Sequence, residues 1–131
     1  MCGDAPLIPC DATNMAEIDT CFKAVKEKFG KIDFFVHSVG MSSNIRKGIP
    51  YEDLNYDWYV KTLDVSGLSL HKLINSALKN DVLNDEASIL AMTHMAAQRP
   101  FTTYTDMAEA KAILESVARN FGSRLGAKKI R

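Results

Sequence analysis

Asn14–Val36, NMAEIDTCFKAVKEKFGKIDFFV, holds a complete helix-to-strand transition and decides the fold class. Asn14 with Glu17 three residues later forms a capping box, whose side chains take up N–H groups that a first helical turn leaves unpaired. Ile18, Cys21, Phe22, Val25 and Phe29 then recur at the interval of one helix face, and Gly30 stops the run. Ile32-Asp33-Phe34-Phe35-Val36 follows at once. It is apolar and β-prone, bounded by Gly30 and by the Ser/Gly/Asn-rich stretch Ser38 to Asn44, so it predicts a buried strand leading into a loop.

The same alternation extends in both directions. Upstream, Leu7-Ile8-Pro9-Cys10 reads as the end of a short strand and Asp11-Ala12-Thr13 as the loop that opens the helix. Downstream, Tyr51 to Lys79 reads as helical, with Trp58, Leu63, Leu68, Leu70, Leu73, Ile74 and Leu78 at its apolar positions and Gly67 weakening its middle. Ser88 to Thr93 predicts another buried strand. Tyr104 to Leu125 carries Met107, Ala110, Ile113, Leu114, Val117 and Phe121 in helical register. The resulting β-α-β-α-β-α order predicts an α/β fold, a parallel sheet with flanking helices. With no repeat, low-complexity tract or linker, residues 1–131 read as one domain. Ligands bind open parallel sheets at the carboxyl ends of the strands, so chemistry is expected at Asp11-Ala12, His37 to Met41 and Thr93 to Tyr104.

Sixteen basic residues balance sixteen acidic ones, so overall charge attracts neither nucleic acid nor an anionic membrane. Cys2, Cys10 and Cys21 are odd in number and lack C-x-x-C spacing, which argues against a disulfide framework or zinc site and fits a reducing cytoplasm. Met1 to Pro9 has no secretory pattern, and no stretch approaches the roughly 18 apolar residues of a membrane span. The expected location is cytoplasmic, with no membrane and no nucleic acid as partner.

Tyr104 precedes Lys111 by seven residues. At 3.6 residues per turn that is almost two turns, which puts both side chains on one helix face. An ammonium near a phenol favours the phenolate and lowers its pKa from about 10, making a better proton donor near neutrality.

Several ordered motifs then resemble a known family. Phe34-Phe35-Val36-His37-Ser38-Val39-Gly40 is similar to the strand and loop beside the nicotinamide in NADH-dependent enoyl-acyl-carrier-protein reductases of the short-chain dehydrogenase superfamily. The run Thr93 to Phe101 with Tyr104 to Lys111 resembles their catalytic loop and helix. Leu63-Asp64-Val65-Ser66 resembles their mid-helix motif, and Cys10-Asp11-Ala12-Thr13 the loop that contacts adenine. The resemblance runs from about residue 7 to Arg131 and implies a Rossmann-like fold, seen as an incomplete section of about three strands and three to four helices. It implies that Tyr104 hydrogen bonds the thioester carbonyl of an enoyl substrate on acyl carrier protein, and that Lys111 holds the nicotinamide ribose hydroxyls. Ser38, Val39 and Gly40 would line that ribose, and Asp11 and Ala12 would hold the adenine of NADH. Related enzymes are tetramers built through two long helices, here Tyr51 to Lys79 and Tyr104 to Leu125, so a homo-oligomer is expected.

The chain also departs from the family. A second tyrosine that most members carry ten residues before the catalytic one is replaced by His94, which either donates a hydrogen bond in its stead or ends a strand facing solvent. The serine of the main dehydrogenase branch would fall at Ala91, and its absence favours the enoyl-reductase branch. No glycine-rich pyrophosphate turn of the G-x-G-x-x-G kind is present, and Arg131 falls before the family's substrate loop. These gaps keep a second expectation open, a non-catalytic fragment or oligomerising module. Elsewhere His37 reads as packed or hydrogen-bonded, His71 as surface or interface, Cys21 as a small core residue, and Asp81, Asp85 and Glu86 as a solvated loop.

Overall fold

The computed structural model describes residues 5–131, and a pair of parallel strands organises it. β1 (Ile32–His37) pairs with β2 (Leu83–Ala91), placing Phe35 opposite Ile89 and His37 opposite Ala91. Between the Ile32–Leu83 and Phe34–Ser88 pairs, an advance of two residues on β1 faces five on β2. Glu86 takes up part of that slack at φ 68°.

The α/β order with a parallel sheet is the one the sequence predicts, but the first of three expected strands does not form. Leu7 to Cys10 has no ladder partner among the described residues, Leu7 is 95% exposed, and Pro9 lacks the N–H a ladder needs.

α1 (Met15–Phe29) begins and ends where expected. The Asn14 side chain accepts from the Ala16 and Glu17 N–H groups, at 3.0 and 3.4 Å, and Gly30 closes the helix at φ 72° with its N–H on the Lys26 carbonyl. The return half of the capping box reaches further than expected: the Glu17 carboxylate takes the Asp11 N–H at 2.9 Å, and the Asn14 N–H goes to the Asp11 carbonyl. This braces the Asp11-Ala12-Thr13 loop against the helix.

After a short α2 (Ser43–Arg46), the helix expected over Tyr51 to Lys79 is broken into pieces. A 3₁₀ turn at Tyr51–Asp53 precedes α3 (Tyr56–Leu63), which is capped by the Asn55 side chain on the Trp58 N–H at 3.0 Å. A π-helical turn at Asp64–Leu68 then leads into α4 (Ser69–Lys79). Gly67 lies in that wide turn because α5 (Thr105–Leu125) passes directly over it: a Cβ there would sit 2.6 Å from the Ala110 carbonyl oxygen.

Two apolar clusters share the sheet as a wall. Ile18, Phe22, Ala77, Val82, Leu83, Ala87 and Ile130 form one and Leu70, Ile74 and Leu114 the other, and Phe35 and Ile89 pack against both. The opposite side of the sheet is exposed among the described residues. Phe34, Val36 and Leu90 point from it and are 74%, 56% and 58% exposed.

The remaining expectations resolve individually. His71 packs on Phe121 with ring centres 5.1 Å apart, on a groove between α4 and α5. Asp81 and Glu86 form surface ion pairs with Lys31 and Lys129, but Asp85 and Glu86 stand within β2 and not in the loop expected for them. Cys21 is only half-buried, and the nearby Cys10 thiol is pushed up to about 11 by burial first and by Cys21 second. Cys2 lies outside the described residues. No described helix is long and apolar enough to cross a membrane.

Candidate active site

β1 and β2 end side by side at His37 and Ala91, so the segments after them, Ser38 to Met41 and Met92 to Tyr104, share one edge of the sheet. His37 closes the floor of that edge. Its Nε2 lies 2.8 Å from Ser69 Oγ, and since the Ser69 hydroxyl donates to the Val65 carbonyl, the imidazole must donate and carries its proton on Nε2. Burial, and after it the charge of Lys111, holds its pKa below the usual histidine value. His37 is therefore a neutral, packed residue, as expected.

Lys111 stands directly above. It projects from the second turn of α5, is 6% exposed, and its Nζ donates to the Val39 carbonyl at 3.2 Å and the Met92 carbonyl at 2.9 Å. One ammonium thus ties together the loops that leave both strands. No carboxylate pairs with it among the described residues, and burial lowers its pKa. The approach of α5 over Gly67 sets this depth, since Ala110 is the residue before Lys111.

Tyr104 is the residue that starts α5 rather than one inside it. Its carbonyl accepts the first helical hydrogen bond, from Ala108 at 3.0 Å, and the regular helix begins at Thr105. The ring is half-buried and lies flat against His94, centres 3.9 Å apart and planes 18° apart, while Phe101 meets both rings edge-on. His94 does not face open solvent as one of the two sequence readings had it. It is half-buried, and its Nδ1 accepts the Ala96 N–H at 3.1 Å, so in the neutral ring the proton is on Nε2 and available for donation.

The third expected segment joins through Lys72. Its Nζ donates to the Thr13 carbonyl at 3.0 Å and to Asp64 Oδ1 at 2.6 Å, which fastens the Asp11-Ala12-Thr13 loop to the π-helical turn. From that turn Ser66 Oγ accepts the Met41 N–H at 2.9 Å and donates to the Met41 carbonyl at 3.1 Å, gripping the Ser38 to Met41 loop from the other side. Asp11 is exposed. Its Oδ1 accepts from the Thr13 N–H and hydroxyl, which lower its pKa. Ala12 and Val39 are half-buried, Ser38 and Gly40 exposed.

Asp106 is the residue that sequence reasoning missed. It is fully buried in the first turn of α5 and accepts four side-chain hydrogen bonds, from Ser42 (2.7 Å) and Thr105 (3.0 Å) on Oδ1 and from Asn44 (2.9 Å) and Thr62 (2.8 Å) on Oδ2. Burial alone would raise its pKa, but the donors Asn44, Ser42, Thr62 and Thr105 together outweigh it and hold the carboxyl below its usual range. An acidic residue in a first helical turn is ordinary at a solvated helix start, so nothing in the local pattern distinguished it. The clue was distributed: Ser42, Asn44 and Thr62 are polar residues in segments that turn out buried.

Comparison with known proteins comes out on one side. A family model described as enoyl-(acyl carrier protein) reductase matches residues 1–131. The enoyl-[acyl-carrier-protein] reductase [NADH] 1 of Rhizobium meliloti is 38% identical over 122 residues, covering 93% of this chain and 44% of that protein. A crystal structure of FabI from Alistipes finegoldii superposes with a TM-score of 0.91 at 49% identity, covering 95% of this chain and 48% of that one. A FabI–NADH complex from the same organism gives the same score and identity. The chain spans about half the length of the relatives it matches.

Proposed function

The chain belongs to the enoyl-(acyl carrier protein) reductase family, and from that membership we propose that it carries the nicotinamide-side half of an NADH-dependent reductase. Its substrate would be the trans-2-enoyl thioester on acyl carrier protein, in fatty acid biosynthesis. The observation that carries this reading is Lys111, a buried ammonium held at the strand ends by Val39 and Met92 beside the start of the helix that bears Tyr104. Structural lysines seldom sit at such depth without a carboxylate.

The donor set suits the cofactor. Two of the three Lys111 N–H groups are taken by carbonyls, which leaves one for a ribose hydroxyl, and the exposed Ser38 hydroxyl lies on the adjoining loop. The exposed Asp11 carboxylate can accept from the exocyclic amine of adenine, with Ala12 beside it. NADH, when bound, supplies the hydride for the β-carbon of the thioester. Tyr104 donates its phenol proton as a hydrogen bond to the thioester carbonyl, where negative charge builds, and the positive charge of Lys111 stabilises the same region. His94, stacked on Tyr104, orients that ring and offers its Nε2–H as a second donor in the place of the family's other tyrosine.

We read the location as cytoplasmic and the assembly as a homotetramer built through α4 and α5, whose shared groove is lined by His71, Ile113, Val117 and Phe121. One observation favours a second reading, a non-catalytic module: the bare apolar sheet face at Phe34, Val36 and Leu90 offers a surface for association.

The test is turnover. The chain should oxidise NADH with a crotonyl thioester and not with a simple ketone, and Tyr104→Phe should lower the rate on the order of a hundredfold or more. Reduction of ketones alone, or an unaffected Tyr104→Phe, would contradict the reading.

A further inference from the structure

We propose that Asp106 is a positioning residue, a buried carboxylate that locks the loop after β1 onto the start of α5 and thereby sets Ser38 to Gly40 and Tyr104 in register with Lys111. The proposal rests on the reading of those residues as the cofactor and substrate contacts. Four donors from three separate parts of the chain converge on this one group. Ser42 also caps α2 by accepting the Ile45 N–H at 3.0 Å, Asn44 also pairs with the Asn55 backbone through both ends of its amide, and Thr62 lies on α3. Asp106 is thus the common anchor of α2, of the capping residue of α3, and of α5. It stands two residues after Tyr104, while Ser42 stands two residues after Gly40.

No cation pairs with Asp106 among the described residues, so its charge is held by neutral donors and by the N-terminal end of a 21-residue helix. This arrangement is directional in a way an apolar plug is not. Each carboxylate oxygen faces two donors, with Thr62 sharing its one hydroxyl proton between Asp106 and the Trp58 carbonyl, so a misplaced loop leaves a buried charge short of partners. Ser66 grips the same loop from the π-helical turn, through Met41. Together the two clamps leave residues 38–44 little freedom.

The experiment compares the chain with Asp106→Asn, Thr62→Val and Thr62→Ser by hydrogen–deuterium exchange, thermal unfolding and NADH titration. Thr62→Val keeps volume and removes one donor, so it tests the idea even if Asp106→Asn fails to fold; Thr62→Ser restores the hydroxyl. Exchange over residues 38–47 and 101–108 should rise about tenfold in Asp106→Asn and less in Thr62→Val, as expected for losing charge-assisted hydrogen bonds. α1 should stay protected and Thr62→Ser should match the parent. NADH affinity should weaken in the same order. A folded Asp106→Asn with unchanged exchange at both segments would overturn the proposal, as would a rise spread evenly over the chain, which marks a purely structural role. If the parent chain binds no NADH, the functional reading fails, and exchange alone still decides whether Asp106 holds the loop.

Discussion

An ammonium buried at 6% exposure and paired only with carbonyls is costly for a fold to keep. That cost is why Lys111 titrates below the usual lysine range. As pH rises, the folded chain releases this proton before the unfolded chain does, so between the two pKa values the unfolded state holds more protons and the burial penalty is relieved. On the proposed reading of Lys111 as a ribose contact, NADH binding should move in the opposite direction, because the charged ammonium keeps its third N–H for the ribose hydroxyl. Affinity measured across an alkaline series should fall through the depressed Lys111 value, while the thermal midpoint, corrected for other lysines with a Lys111→Met control, gains over the same window. Affinity that stays flat until ordinary lysines titrate would contradict this assignment. The seven-residue spacing of Tyr104 and Lys111 was legible because helical periodicity is a local rule, although Tyr104 proves to be the residue that precedes the helix. Asp106 was not, because its partners Ser42, Asn44 and Thr62 lie 64, 62 and 44 residues away.

Among the elements, α1 and the position of β1 followed directly from the cap, the apolar stripe and Gly30, all of which act within a few residues, but the strand expected to be buried has Phe34 and Val36 exposed. The segment from Tyr51 to Lys79 did not. Its apolar register is continuous, yet the chain opens into a π-helical turn at Gly67 to admit the backbone of α5, an event set by a helix that begins only at Thr105. Likewise Leu7 to Cys10 has strand composition, but a strand also requires a neighbour to pair with. Gly67→Ala tests the close approach. In an open helix that change stabilises by about 1 kcal/mol. Here the added Cβ meets the Ala110 carbonyl, and denaturant unfolding should show a loss of about 1–3 kcal/mol. A gain in stability would mean that α5 does not lie where Lys111 needs it.

Taken as a whole, the described residues make a one-sided layer. Helices cover the sheet face that bears Phe35 and Ile89, and the other face leaves Phe34, Val36 and Leu90 to solvent, whereas parallel sheets are ordinarily covered on both sides. The parallel α/β order was readable from the alternation of periods, but which face the helices would choose was not, since Phe34 and Phe35 look alike in a strand of composition IDFFV. A chain spanning about half the length of its relatives nevertheless retains, in this reading, a nicotinamide-side half-site. The most direct measurement is calorimetric titration of NADH into the 131-residue chain, with its assembly state followed by sedimentation in the same sample and Lys111→Met alongside. Binding is predicted in the micromolar to millimolar range, on the order of 4–8 kcal/mol, weakened about tenfold or more in Lys111→Met. A folded chain that gives no binding heat, or a Lys111→Met variant that binds as well as the parent, would contradict it.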